Sequence, residues 1–101
     1  MAGGFEGTGG NPMPKWRLKI TKSASRDLRG LTPQVQDEIS CKHLPRIASD
    51  PYKVGKPLTG AYKGLFAYRF GHHPEYRIIY AIVEDEVRIV KIGKREDIYR
   101  R

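Results

Sequence analysis

The stretch Tyr76-Arg77-Ile78-Ile79-Tyr80-Ala81-Ile82-Val83 decides the fold. Tyr76, Ile78, Tyr80 and Ile82 alternate with Arg77, Ile79, Ala81 and Val83, so both faces of an extended chain would be largely apolar. That pattern belongs to a central strand covered on both sides. Toward the C-terminus, Glu84-Asp85 makes a tight polar turn and Val87 to Gly93 forms a last strand. Lys94 to Arg101 reads as a polar tail with Ile98 and Tyr99 inside it. Toward the N-terminus, Leu65 to Phe70 is a third strand of the same group, ended by Gly71 and the turn His72-His73-Pro74. Tyr52 to Lys63, with Gly55, Pro57 and Gly60, reads as a loop.

Upstream of that loop the period changes from two to nearly four. Val35, Ile39, Leu44, Ile47 and Ala48 recur at helical spacing behind Thr32-Pro33, an N-cap hydroxyl followed by proline at the first helical position. Pro45 removes a backbone donor and crowds the carbonyl of Cys41, which predicts a kink or an early end; Asp50-Pro51 closes the segment. An earlier helix places Ala24, Leu28 and Leu31 on one face and Arg26, Asp27 and Arg29 outside it, with Ser23 as its cap and Gly30 at its end. Trp16, Leu18 and Ile20 alternate with Arg17, Lys19 and Thr21 as a first, half-buried strand.

The order is strand, helix, helix, then three strands. It predicts an α+β fold (β-α-α-β-β-β): an N-terminal strand, an antiparallel helical hairpin and a three-stranded antiparallel meander, with the helices packed on one face of the sheet. The first strand should lie beside one of the later ones, and the pattern does not say which.

A chain of 101 residues with a hydrophobic share of 39% is enough for one domain with a modest core. Met1 to Pro14 is glycine-rich and without period, so a flexible or expression-derived leader is expected over residues 1–14 and the folded domain over 15–101. The formal net charge of +8 favours a polyanionic partner through long-range attraction and counterion release. Nucleic acid is the first candidate and an acidic protein the second; a basic protein with neither partner also fits the composition. Cys41 stands alone, so it reads as a small helix residue with no disulfide or cysteine-rich metal site, as in a reducing cytoplasm. No apolar run approaches the ~18 residues of a membrane span.

The run Tyr76-Arg77-Ile78-Ile79-Tyr80, a turn, a β-branched strand and then Gly93-Lys94-Arg95-Glu96-Asp97-Ile98-Tyr99 resembles the second half of RelE/ParE superfamily toxins. Asp50-Pro51 ending a helix, followed by Lys56-Pro57-Leu58 and a glycine, belongs to the same resemblance, which covers roughly Trp16 to Arg101. It implies a toxin neutralised by a cognate antitoxin. RelE-like members cut messenger RNA in the ribosomal A site without metal or other cofactor: the 2′-hydroxyl attacks the adjacent phosphate and leaves a 2′,3′-cyclic phosphate. ParE-like members share the fold and poison DNA gyrase without nuclease activity.

A metal-free ribonuclease must hold a phosphate, neutralise charge developing on its oxygens and move two protons. Arginine suits the first two tasks through its forked donors and permanent charge. Arg77, alone among apolar strand residues, is a candidate phosphate clamp, against the alternative of an edge charge or a structural ion pair. The resemblance matches Arg95 to the family's catalytic arginine and Tyr99 to its tail tyrosine, a general base or a stacking platform. Removing Ile98 and Tyr99 is expected to abolish toxicity and leave the fold intact. Arg69, Lys63, Lys56 and Lys94 are candidate RNA contacts, with Lys53 and Lys91 as further backbone contacts. RelE members often carry two lysines on the strand where this chain has Leu65 and Ala67, so Lys63 is expected to substitute in part. His72 and His73 read as a solvated turn on the opposite edge from Arg95, with an acid–base role as the alternative.

Overall fold

The computed structural model describes residues 16–98. The expected leader and Tyr99 lie outside them. A five-stranded sheet runs in the order β1-β5-β4-β3-β2, built from β1 (Arg17–Ile20), β2 (Lys56–Pro57), β3 (Leu65–Phe70), β4 (Tyr76–Val83) and β5 (Glu86–Lys94). Tyr76–Val83, apolar on both faces, forms the middle strand. β4 is antiparallel to both neighbours, and the first strand takes its place on the far edge as the parallel partner of β5, Leu18 opposite Val87 and Ile20 opposite Ile89.

Helix α1 (Lys22–Arg29) starts one residue before the expected cap. Thr21, not Ser23, accepts the Ala24 N–H, and the Thr21 hydroxyl also donates to the Ile89 carbonyl at 2.9 Å. Thr21 therefore ends β1 and begins the helix with one side chain. Asp27, expected on the solvent side, turns its carboxylate to the backbone N–H of Ile92 at 3.1 Å. β1 is too short to pair with β5 there, so the helix supplies the acceptor that the strand lacks.

Pro45 neither ends nor breaks the second helical run. α2 (Pro33–Glu38) passes through a π-turn (Ile39–His43) into α3 (Leu44–Ser49), and the Leu44 N–H reaches back to the Ile39 carbonyl. The wider turn accommodates the proline ring, the usual effect of one extra residue in a helical turn. It also directs His43 into the core. Its Nδ1 lies 2.7 Å from the Tyr68 hydroxyl and its Nε2 2.8 Å from Glu38, while its ring stacks on Phe70 at 4.1 Å.

The expected loop from Tyr52 to Lys63 holds a short helix α4 (Pro51–Val54), the edge strand β2 and a 3-10 turn (Gly60–Tyr62). The expected polar tail opens with a single helical turn, α5 (Arg95–Ile98).

The core has two unequal sides. On one, Ala24, Ile39, Leu44 and Ile47 of the helical segments cover Tyr68, Phe70, Ile78, Tyr80, Val87, Ile89 and Ile92 of the sheet. On the other, Ala67, Ile79 and Ile98 form a smaller cluster with Leu58, Leu65 and Val90 packed against it. A β-bulge beside Ile79/Tyr80 lets Val90 and Lys91 both serve this second side, between Ile89 and Ile92 on the first. Tyr80, fully buried, donates to the Pro51 carbonyl at 2.5 Å; burial first, and then the Asp50 carboxylate, push its phenol well above the ordinary value.

Candidate nucleic-acid interface

Strand alternation sorts the charges. Tyr68, Phe70, Ile78 and Ile92 occupy the helical side, so Ala67, Arg69, Arg77 and Gly93 face the other way. Register then aligns them: Lys56 opposes Ala67, Arg69 opposes Arg77, and Arg77 opposes Gly93. Lys56, Arg69 and Arg77 line a cleft of about 320 Å³ together with Pro57, Leu58, Thr59 and Ala67. The floor is small and apolar and the walls are cationic. A phosphate-sized anion placed there would meet two guanidinium groups and an ammonium.

Arg77 is held. Its Nε donates to Glu75 at 3.0 Å, with side-chain exposures of 15% and 30%, so the structural ion pair and the cleft-lining position belong to the same side chain. Sequence reading passed over Glu75. The signal was present, because residues two apart on a strand share a face and Glu75-x-Arg77 is an opposite-charge pair at that spacing.

Lys56 alters the reading of Leu65 and Ala67. The position at Ala67, where the resemblance leads one to expect a lysine, faces Lys56 directly across β2–β3. The cation arrives from the neighbouring strand. Lys63, expected to compensate, follows the 3-10 turn and is not among the residues lining the cleft. Lys94 pairs with Tyr76 and shares its side of the sheet, at the rim of the helical core, away from Arg77.

Arg95 lies in a different depression. Its N–H donates to the Glu75 carbonyl at 2.9 Å, and its side chain lines a hollow of about 520 Å³ with His72, His73, Pro74, Glu75 and Glu96. The histidines are thus beside Arg95 and not on the opposite edge. The β3–β4 turn folds back over the end of β5, a juxtaposition that requires the register of three strands. Glu75 lines this hollow, and its carboxylate holds Arg77 of the cleft.

Lys91 and Ile98 tie the C-terminal turn down. Ile98 is 2% exposed, over Ala67 and Ile79, and Lys91 Nζ donates to its carbonyl at 3.1 Å. Lys91 is therefore engaged within the fold, and removal of Ile98 would open the second core, contrary to the expectation that it leaves the fold intact.

The model of the ParE toxins of type II toxin–antitoxin systems matches residues 18–99, nearly the whole described region. The chain belongs to this family. Within the wider RelE/ParE superfamily it is similar to the toxin RelG of Mycobacterium tuberculosis, 32% identical over 88 residues, covering 85% of this chain and 98% of that protein. It is 31% identical over 87 residues to toxin RelE of the same organism, covering 84% and 87%. Among solved structures it resembles the toxin–antitoxin complex RelBE2 from that bacterium, with a TM-score of 0.73, 28% identity and 85% and 98% coverage. The ParE-family fold thus carries, in this chain, a cationic cleft on the sheet face away from the helices.

Proposed function

We propose that this toxin is a ribosome-dependent endoribonuclease that cuts messenger RNA in the A site and so stops translation in the cytoplasm. One observation carries the reading: Lys56, Arg69 and Arg77 converge on a single cleft, with Lys56 supplying a cation beside Ala67. A backbone phosphate lies in that cleft on the two guanidinium groups, and the next phosphate lies toward Arg95. Arg95 stabilises charge on the phosphate oxygens as the 2′-oxygen attacks, and Tyr99 contributes a base or a stacking surface. No metal or cofactor enters this mechanism. Lys94 and Lys63 contact RNA outside the cleft. The similarity to RelG and RelE toxins supports the nuclease reading, and the similarity to a toxin–antitoxin complex supports a cognate antitoxin that covers this surface or displaces the C-terminal turn.

Primer extension on a defined messenger in a purified translation system tests the reading. Ribosome-dependent cuts within translated codons, lost in Arg95→Ala, are expected. A second reading, inhibition of DNA gyrase without nuclease activity, draws on the ParE description of the family and on Leu65 and Ala67 in place of lysines. An intact messenger together with inhibited supercoiling would establish it instead.

A further inference from the structure

Among the described residues the cleft is lined by cations, with no imidazole, phenol or carboxylate. A guanidinium and an ammonium are donors with no acceptor lone pair, so neither takes the 2′-hydroxyl proton. An imidazole does, and the described residues include three. His43 is committed: it is 3% exposed, and both ring nitrogens are taken by Tyr68 and Glu38. His72 and His73 are exposed, packed against each other with ring centroids 4.2 Å apart, and they line the same hollow as Arg95.

We propose that the His72–His73 pair supplies the proton acceptor for RNA cleavage, with Arg95 beside it as the charge-stabilising group. The inference deepens the nuclease reading and rests on it. With the histidines as proton acceptor, Tyr99 keeps the stacking role. An imidazole nitrogen takes the proton from O2′ as O2′ bonds to phosphorus. The P–O5′ bond breaks, O5′ takes a proton from a water molecule, and the imidazolium returns its proton to the hydroxide so formed. The products are a 2′,3′-cyclic phosphate and a 5′-hydroxyl, and the catalyst is unchanged. Glu75, Glu96 and Arg95 are the charged groups that line the hollow with the two histidines. Glu75 acts as a positioning residue, because its carbonyl fixes the Arg95 backbone and its carboxylate fixes Arg77.

Among the described residues no three His, Cys, Asp or Glu side chains are arranged to hold a metal ion.

The experiment is single-turnover cleavage of a ribosome-bound messenger across about pH 5.5 to 8.5, with the wild-type chain, His72→Ala/His73→Ala and His72→Asn/His73→Asn. Melting of each variant is recorded alongside. The expected result is a loss of about 100-fold in both double variants, disappearance of the rate change through the imidazole range, and partial recovery of the alanine variant with free imidazole. Wild-type cleavage with an unchanged rate and pH profile in the double variants overturns the inference and leaves the nuclease reading standing. So does a loss that imidazole does not relieve and that keeps the wild-type pH profile, which marks a purely structural turn. A wild-type chain that leaves the messenger intact sinks both.

Discussion

Arg69 and Arg77 stand directly opposite each other on β3 and β4, two guanidinium groups on one face of the sheet. Like charges in that relation oppose folding by a few tenths of a kcal/mol or more, and only Arg77 has the Glu75 carboxylate at hydrogen-bond distance. Under the proposed function the pair is kept for the phosphate that the cleft binds. Arg69→Gln should therefore leave thermal stability equal or raise it by up to ~1 kcal/mol, while weakening RNA binding. The slope of log affinity against log salt should fall by about 1. A destabilised variant with unchanged RNA affinity would assign Arg69 to the fold alone.

Lys56 acts by its charge. Lys56→Ala should reduce cleavage by about 10- to 100-fold without unfolding the chain, since the side chain is exposed. Lys56→Arg, which keeps a cation at the same end of the cleft, should retain most of the activity. Cleavage rates of the two variants decide it, and equal rates for both would mean that Lys56 acts elsewhere.

Gly55 is required by a neighbour. A Cβ there would lie 1.9 Å from the Tyr80 hydroxyl, which itself bonds the Pro51 carbonyl. Gly55→Ala should cost about 3 kcal/mol in urea unfolding, and Tyr80→Phe about 1–2 kcal/mol for the orphaned carbonyl. The double variant should be more stable than the sum of the two losses implies, because removing the hydroxyl relieves the clash.

The same tyrosine sets an alkaline limit. Its phenol is raised in the folded state, so its contribution is fully present below the unfolded value near 10. As pH rises beyond that value the unfolded chain releases a proton that the folded chain keeps, and stability falls until the raised folded value is passed. Urea midpoints measured from about pH 9 to 11 should decline more steeply for the wild-type chain than for Tyr80→Phe. Parallel declines would show that other groups govern the alkaline limb.

Ile98 closes the second core. Ile98→Ala should destabilise the fold by about 2–4 kcal/mol and lower cleavage as well, because the turn that leads to residue 99 loses its anchor. Lys91→Met keeps the aliphatic stem and removes only the bond to the Ile98 carbonyl. It should cost ~1 kcal/mol in melting experiments and reduce activity more than stability. Full activity in Lys91→Met would detach the turn's position from catalysis.

Local chemistry determined much of this protein on its own. The double-faced apolar run from Tyr76 to Val83 specifies a middle strand wherever it is placed, and Thr32-Pro33 caps a helix whatever follows, because each signal acts over a few residues. Arg69, Arg77 and Lys56 were legible as isolated cations on strand or loop. Tertiary structure decided what they became. Only the pairing of β2 with β3 brings Lys56 across from Ala67, and only the register of β3, β4 and β5 carries the His72–His73 turn to Arg95. A π-turn precedes Pro45, and the helix continues through it, because packing of His43, Leu44 and Ile47 outweighs one lost helical hydrogen bond. The polar-looking tail carried a buried isoleucine, since one apolar side chain in four residues has no period to read and meets its partners, Ala67 and Ile79, only when distant strands are already side by side.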